Sequence, residues 1–135
     1  MKRVLFVCLG NACRSQIAEG FARAYGEGVW EVESAGLMPA VTIPPLTREV
    51  MEQKGISLDG QYPKPLEWVE PESFELVVNM SGCELPPELA SRELRWEVED
   101  PIGQPEKIYR KVRDRIEGLV KGLLEQVRRE RGIDT

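Results

Sequence analysis

Histidine is absent from this chain of 135 residues, and its absence narrows the chemistry that the chain can perform. A Cys–His catalytic pair is excluded, because no imidazole is present to act as the base. The commonest nitrogen ligand of zinc is missing as well, so we expect neither a metal site nor a cofactor. Proton transfer in catalysis must therefore depend on a carboxyl group.

Cysteine and long apolar runs are also scarce. Three cysteines, Cys8, Cys13 and Cys83, are too few for a disulfide scaffold and fit a reducing, cytoplasmic environment. No apolar run approaches the roughly 18 residues of a membrane helix, and Met1 leads into a strand rather than into a signal peptide. The net charge of -5 argues against a general nucleic-acid binder. We therefore expect neither a membrane nor a nucleic-acid partner.

The segment from Cys8 to Ser15 contains the residue types that covalent chemistry on a tetrahedral oxyanion requires. After a short apolar run it reads Cys8-Leu9-Gly10-Asn11-Ala12-Cys13-Arg14-Ser15. Gly10 and Asn11 tolerate the left-handed backbone of a tight turn, and such a turn can direct several N–H groups into one concavity. A helix that opens at Ser15 adds its positive end, and the Arg14 guanidinium matches two oxygens of a phosphate or arsenate. The segment predicts Cys8 as a nucleophilic thiolate and its other residues as the phosphate-binding site.

Hydrophobic periodicity predicts strands that alternate with helices. Such alternation indicates an α/β fold, in which a parallel sheet carries helices on both faces and binds ligands beyond the carboxyl ends of its strands. Nothing divides the chain, so we expect a single domain over residues 1–135, with a flexible tail at about 129–135. The predicted strands are 3–7, 30–34, 74–80 and 94–98, and the predicted helices are 15–25, 46–54 and 105–128, with a helical turn at 66–69.

Three motifs resemble those of the low-molecular-weight protein tyrosine phosphatase family, which includes thiol-coupled arsenate reductases. The segment 4–15 resembles the family's phosphate-binding signature, and Ser34-Ala35-Gly36 falls where the family ends its second strand. Glu99-Asp100-Pro101 resembles the loop that supplies the family's general acid. The resemblance covers nearly the whole chain, and it implies a four-stranded parallel sheet in a three-layer α/β/α arrangement.

The resemblance also implies roles for three residues in phosphomonoester hydrolysis. Cys8 attacks phosphorus to give a phosphocysteine intermediate, and Arg14 holds the equatorial oxygens together with the loop N–H groups. Asp100 protonates the leaving group and then activates the hydrolytic water. Because these three residues suffice, hydrolysis of a phosphotyrosine protein or a small aryl phosphate is our leading interpretation. A third interpretation, an oxyanion-binding module without catalysis, leaves the nucleophile and the acid unexplained.

Two features resemble the arsenate reductase branch instead. Gln16 follows Arg14 and Ser15, where phosphatases of the family more often carry proline. Ile102 and Gly103 follow the Asp-Pro pair, where those phosphatases carry aromatic residues that flank the substrate ring. Arsenate reduction is therefore the alternative to hydrolysis.

Reduction of arsenate requires a second thiol to resolve Cys8. The reductases that this chain resembles carry two cysteines just past the third strand, whereas here Ser81 takes the place of the first and Cys83 remains. A serine cannot form a disulfide, so the internal relay is incomplete. The alternative therefore depends on Cys83 or on an external thiol system, such as thioredoxin, glutaredoxin or a low-molecular-weight thiol.

Two further features have open roles at this stage. Cys13 is either a packed thiol or, as in phosphatases that this chain resembles, a redox-active thiol that traps Cys8 as a reversible disulfide. The segment 37–45 follows the second predicted strand. It is expected either to form an apolar wall of the pocket through Met38, Val41 and Ile43 or to pack under a loop.

Overall fold

A four-stranded parallel sheet forms the centre of the molecule. The computed structural model describes residues 1–132, and its strands are β1 (Lys2–Cys8), β2 (Trp30–Gly36), β3 (Leu76–Asn79) and β4 (Glu93–Arg95). They lie in the order β2-β1-β3-β4, and every neighbouring pair is parallel. β1 pairs with β2 from Lys2 beside Trp30 to Cys8 beside Gly36, so these two strands end side by side.

The central position of β1 follows from its apolar sequence. Val4, Leu5, Phe6 and Val7 are all fully buried, which is typical of a parallel strand covered on both faces. Because side chains alternate along a strand, Val4 and Phe6 face one layer of the core, and Leu5 and Val7 face the other. Burial of each such side chain contributes about 1.5–3 kcal/mol to the stability of the fold.

Helical layers cover both faces of the sheet, and they differ in kind. Three α-helices pack over the face that carries Phe6, namely α1 (Arg14–Tyr25), α2 (Pro45–Glu52) and α3 (Glu106–Glu130). The opposite face is covered by residues in and beside three short 3₁₀ helices, Leu66–Val69, Pro71–Ser73 and Pro87–Arg92. The predicted four-stranded, three-layer α/β/α arrangement is therefore confirmed, with a third layer built from single turns.

The predicted order of elements is confirmed, and the largest difference concerns β4. This strand was predicted to reach residue 98 but ends at Arg95. Trp96 N–H still donates to Asn79 O (3.0 Å), after which the chain leaves the sheet and Val98 O accepts a hydrogen bond from Arg14 instead. Val98 is therefore buried in the core as part of the loop that follows β4, and not as part of the strand.

The last helix, α3, extends further than its sequence pattern predicts. It reaches Glu130, two residues beyond the predicted end, while the flexible tail stays a prediction and 133–135 lie outside the described residues. The helix continues because Arg131 N–H still donates to Val127 O (3.1 Å). Between residues 1 and 132, none of the helices combines the length and the apolar character needed to cross a membrane.

Gly36 closes β2 against the loop that follows β1, and a side chain there has no space. A methyl group at Gly36 would lie 2.9 Å from the Leu9 carbonyl oxygen and 2.9 Å from the Asn11 Cβ. Gly36→Ala is therefore expected to lower the free energy of unfolding by about 1–3 kcal/mol, as overpacking does, in a urea titration.

Gly118→Ala, in α3, is the matched control for this substitution. A methyl group there meets no side chain of the described residues within 4 Å. It is expected to raise the free energy of unfolding by up to about 1 kcal/mol, because alanine is the better helix former. Equal stabilities of the two variants would contradict the steric argument.

Candidate active site

The loop after β1 is held by backbone hydrogen bonds to the segment that follows β2. These bonds join Leu37 N–H to Cys8 O (3.2 Å), Met38 N–H to Leu9 O (2.8 Å) and Ala40 N–H to Gly10 O (2.9 Å). In a trans peptide the N–H of the next residue points opposite to the carbonyl group. The N–H groups of residues 9–11 are therefore directed to the other side of the loop, as an anion-binding nest requires.

Asn11 makes the tight turn of this loop. Its φ of 49° lies in the left-handed region, and its side chain is fully buried. Gly10 tolerates the same conformation but does not adopt it, since its φ lies outside the left-handed region. A methyl group at Gly10 would meet its nearest neighbour, the Ala12 Cβ, at 3.8 Å, which is ordinary contact. The left-handed conformation in the Cys8–Ser15 loop therefore falls on Asn11.

Buried hydrogen bonds connect Asn11 to the Cys8 thiol at the end of β1. Asn11 Nδ2 donates to Ser15 Oγ (2.7 Å) and to Ser34 Oγ (3.0 Å). Ser15 Oγ in turn lies 2.9 Å from Cys8 Sγ. On the other side, the backbone N–H of Lys64 donates to Asn11 Oδ1 (3.0 Å). A hydroxyl group at this distance can stabilise the sulfur as an anion.

Arg14, the first residue of α1, ties the loop to the ends of two other strands. Its Nη1 donates to Met80 O (2.6 Å), just past β3, and to Val98 O (3.3 Å), past β4. Its Nη2 lies 3.6 Å from Asp100 Oδ2, and its side chain is only 8% exposed. A guanidinium group has five N–H donors, so others remain for an oxyanion.

Asp100 lies at the edge of the same site. Its carboxyl group is 46% exposed, with Oδ2 directed to Arg14 and Oδ1 accepting from Ile102 N–H (3.1 Å). The second bond closes a short turn over 100–102. In the next turn, where Gln104 N–H donates to Pro101 O (2.8 Å), Gly103 adopts a φ of 84°. The carboxyl group therefore contacts both the guanidinium group and the solvent, as a group that exchanges protons with a leaving group must.

Cys83 lies in an exposed turn after β3 that the side chain of Asn79 organises. Asn79 Oδ1 accepts from Ser81 N–H (2.9 Å) and Ser81 Oγ (2.6 Å), and Asn79 Nδ2 donates to Cys83 O (2.8 Å). Ser81 Oγ accepts from Cys83 N–H (3.0 Å). Asn79 Nδ2 also donates to Glu93 Oε2 (2.8 Å). Hydrogen bonds lower the pKa of Glu93, and the bond from Asn79 has a larger effect than the bond from Arg95. Through its bond to Asn79, Glu93 anchors the turn to β4.

A cavity of about 540 Å³ lies between Arg14 and this turn. Arg14 lines one part of it and Cys83 another, and Trp96 and Glu99 contribute from the chain after β4. The cavity therefore brings the guanidinium group of the loop and the exposed thiol into one space, although 69 residues separate them in the sequence.

Cys13 differs from the other two cysteines in its surroundings. It caps the N-terminus of α1 and is buried in the core that the three α-helices share. Burial raises the pKa of the Cys13 thiol to about 12. Cys13 is therefore a protonated thiol near neutral pH, and its redox role stays a prediction.

An exposed apolar rim lies beside the loop. Met38 and Val41 are 72% and 100% exposed, and Met38 is held next to Leu9 by the backbone bond described above. Ile43, from the same segment, is buried in the core instead. The segment after β2 therefore packs against the loop through its backbone and through Ile43, and its role as an apolar wall of the pocket stays a prediction.

The sequence did not indicate two residues that organise the site. Glu19 is buried in α1, and its Oε1 accepts from Ser34 Oγ (2.5 Å), so it belongs to the hydrogen bonds behind Cys8. Asn79 ends a buried strand directly before a turn, a position where Asn commonly bonds to the backbone two residues later, and this signal could have identified it. Within residues 1–132, no group of three or more cysteine and carboxylate side chains is arranged to hold a metal ion.

Comparison with known proteins agrees with this geometry. The family described as low molecular weight phosphotyrosine protein phosphatase matches residues 3–86. The chain is 38% identical over 131 residues to a glutaredoxin arsenate reductase of Synechocystis sp., which covers 94% of this chain and 99% of the relative.

Solved structures give the same result. An arsenate reductase in the phosphate binding state is similar with a TM-score of 0.88 and 37% identity, over 94% of this chain and 99% of that one. A low molecular weight protein tyrosine phosphatase from T. tengcongensis has a TM-score of 0.85 and 31% identity, over 93% and 99% of the two chains. The chain therefore belongs to the low-molecular-weight phosphotyrosine protein phosphatase family, whose enzymes include both phosphatases and arsenate reductases.

Proposed function

We propose that this protein is an arsenate reductase in which Cys8 is the nucleophile and Cys83 the resolving thiol. The observation that carries the proposal is the cavity that Arg14 shares with the exposed Cys83. The similarity to arsenate reductases also supports the proposal. So does Gln16, which follows Arg14 and Ser15 as in that branch of the family. This support favours the alternative drawn from the sequence over the phosphatase interpretation.

In the first step, the Cys8 thiolate attacks the arsenic atom of arsenate. An As–S bond forms, and one oxygen leaves as water with protons from Asp100 and the solvent. The loop N–H groups and the Arg14 guanidinium group hold the remaining oxygens and stabilise their charge. Arg14 is fixed for this task by its bonds to the carbonyl groups of Met80 and Val98.

In the second step, the Cys83 thiolate attacks Cys8 Sγ. A disulfide bond forms, the As–S bond breaks, and its electron pair leaves with arsenic, which becomes arsenic(III) and dissociates as arsenite. The two thiols have then supplied two electrons. An external thiol system, such as thioredoxin, glutaredoxin or a low-molecular-weight thiol, reduces the disulfide by exchange and restores the enzyme.

Because residue 81 is serine and not cysteine, the proposed reaction uses two thiols of the chain, those of Cys8 and Cys83. Its hydroxyl group bonds to Asn79 Oδ1 and accepts from Cys83 N–H, so it shapes the turn instead of entering a disulfide. The turn is exposed and held mainly by hydrogen bonds, which water can replace when Cys83 moves towards Cys8. Cys83 can therefore attack Cys8 without an intermediate thiol.

Arsenite formation in the presence of a glutaredoxin and glutathione tests the assignment of Cys83. Cys8→Ser is expected to abolish arsenite formation, and Cys83→Ser to lower its rate by at least about tenfold, because the remaining thiol cannot form the internal disulfide. Arsenite is measured by chromatography on fully reduced protein. Wild-type rates in Cys83→Ser would contradict the role of Cys83, and no arsenite from the wild type would contradict reductase activity.

Ser81→Ala is the matched control, since it changes the same turn and keeps the Cys83 thiol. It removes the hydroxyl group that accepts from Cys83 N–H. We expect arsenite formation to stay within about threefold of the wild type, because the loss is that of one exposed hydrogen bond. A loss as large as that of Cys83→Ser would assign the effect to the shape of the turn.

Phosphomonoester hydrolysis is the second candidate, and the contact of Asp100 with Arg14 favours it. Cys8 attacks phosphorus in line and forms a phosphocysteine, while Asp100 protonates the leaving oxygen. Water then attacks the intermediate and gives a proton back to Asp100. No second thiol takes part, so Ser81 is no obstacle to this reaction.

Leaving-group dependence tests Asp100 in that reaction. Asp100→Asn is expected to slow the hydrolysis of phenyl phosphate by about 10²–10⁴-fold, and that of a dinitrophenyl phosphate far less, because a good leaving group needs no proton. Glu99→Gln, at the neighbouring exposed carboxyl group, is the control and is expected to change neither rate. Equal slowing of both substrates by Asp100→Asn would show that Asp100 is not the acid.

A further inference from the structure

Exposed apolar side chains are unevenly distributed over the surface of the molecule. Within residues 1–132, seven large apolar side chains are exposed. Four of the seven lie at or beside the Cys8–Ser15 loop, and we call these four the entrance patch: Leu9, Met38, Val41 and Ile102. Single exposed apolar residues are ordinary on a protein surface, whereas a group of them around one opening indicates a contact surface.

One side of the entrance patch is formed by the loop itself and by the segment that follows β2. Leu9 belongs to the loop, and Met38 N–H donates to Leu9 O (2.8 Å). Val41 follows Ala40, whose N–H donates to Gly10 O (2.9 Å). Backbone hydrogen bonds therefore hold Met38 and Val41 beside the loop while both side chains remain exposed.

The other side of the entrance patch is formed by the segment that follows β4. Ile102 N–H donates to Asp100 Oδ1 (3.1 Å), and Asp100 Oδ2 lies 3.6 Å from Arg14 Nη2. In the sheet, β2 and β4 lie on opposite sides of β1, which leads into the loop. The patch therefore borders the opening above the loop from two sides.

The segments that carry the entrance patch are uncharged as well as apolar. Neither 36–47 nor 101–105 contains an Asp, Glu, Lys or Arg residue, although 30% of the residues in the chain are charged. A charged small molecule therefore finds no ionic partner in these segments. The surface that complements the patch is itself apolar and uncharged.

The substrate of the proposed reduction has no use for such a surface, because arsenate has no apolar group to bury. The step that restores the enzyme does bring a second molecule to the loop. Cys8 is fixed at the end of β1, so its disulfide with Cys83 forms at the opening that the entrance patch borders. We propose that the entrance patch is the docking surface for a small dithiol protein, whose nucleophilic cysteine lies in an apolar, uncharged surface. This inference rests on the proposed function.

The docked protein restores the enzyme by two thiol–disulfide exchanges. Its first thiolate attacks Cys83 Sγ, the bond between the sulfur atoms of Cys83 and Cys8 breaks, and Cys8 leaves as a thiolate. The second thiolate of the partner then attacks the partner's own first sulfur atom, and Cys83 leaves as a thiolate. The partner ends as a disulfide, so it has supplied the two electrons that the enzyme receives.

Single-turnover reduction of the Cys8–Cys83 disulfide tests this docking. The protein is oxidised with diamide, its disulfide is identified by mass spectrometry, and it is mixed with an excess of a prereduced dithiol glutaredoxin or of dithiothreitol. Met38→Glu and Val41→Glu are each expected to lower the second-order rate constant with glutaredoxin by at least about tenfold, because a carboxylate is unfavourable in an apolar contact. The rate with dithiothreitol, which needs no docking surface, is expected to change by less than about twofold.

Two control variants separate docking from a general effect of the substitutions. Met38→Leu keeps an apolar side chain in the entrance patch, and its rates with both reductants are expected to stay close to those of the wild type. Trp68→Glu places a carboxylate at another exposed apolar position, in the 3₁₀ helix Leu66–Val69 on the opposite face of the sheet. Its rates are expected to stay close to those of the wild type as well.

The possible outcomes distinguish the inference from the function on which it rests. Wild-type rates with glutaredoxin in Met38→Glu and Val41→Glu, equal slowing with dithiothreitol, or equal slowing in Trp68→Glu would overturn the docking surface alone. Absence of a Cys8–Cys83 disulfide from the oxidised wild type would contradict the proposed relay, and the inference with it. If the two Glu variants slow only the hydrolysis of a phosphotyrosine peptide, the patch binds a phosphoprotein substrate and the inference is wrong.

Discussion

Backbone pairing beyond the strand ends is the constraint on which the rest of the site depends. β1 and β2 end at the same level, and the chain after β2 continues to donate to the carbonyl groups of Cys8, Leu9 and Gly10. The loop is thereby an extension of the sheet, with its carbonyl groups on one side and its N–H groups on the other. The Cys8 thiol and the N–H groups of the loop are held by peptide geometry, and the side chains of Arg14 and Asn11 add contacts to a loop whose path the backbone already determines.

Local patterns in the sequence were sufficient to predict most of the fold. Each of these patterns is local, because it predicts the structure of the segment in which it occurs. Examples are the apolar run of β1, the helical spacing of apolar residues in α3, and the glycine and asparagine of the loop. Contacts between distant segments were not predictable in this way. Arg14 bonds to carbonyl groups 66 and 84 residues away, and Glu19 meets Ser34 only because α1 lies over β2. Of the two loop residues that tolerate a left-handed backbone, only Asn11 adopts it, and the sequence did not distinguish between them.

The two candidate reactions share their first step and differ in what attacks next. Cys8, the loop and Arg14 treat arsenate and phosphate alike, because both are tetrahedral oxyanions of similar charge. Water attacks the central atom in hydrolysis, whereas a thiol attacks sulfur in reduction. Which of the two reactions follows therefore depends, in the proposed function, on a turn outside the loop. This turn contains the thiol of Cys83 and has serine instead of cysteine at position 81. The same fold can support either reaction, so in the proposed function the difference lies in the residues after β3.

The turn that carries Cys83 has a consequence for the timing of reduction. Asn79 holds the turn through Ser81 and Cys83 and is itself anchored on β4 by Glu93. In the proposed reduction, movement of the Cys83 thiol towards Cys8 would open these bonds, which is a local unfolding event. The rate of thiol transfer would then follow the opening equilibrium of this turn. Amide hydrogen exchange at Ser81 and Cys83 would report the same equilibrium. The rate of the proposed reaction would then be limited by the local stability of a few surface residues and not by movement of the Cys8 loop.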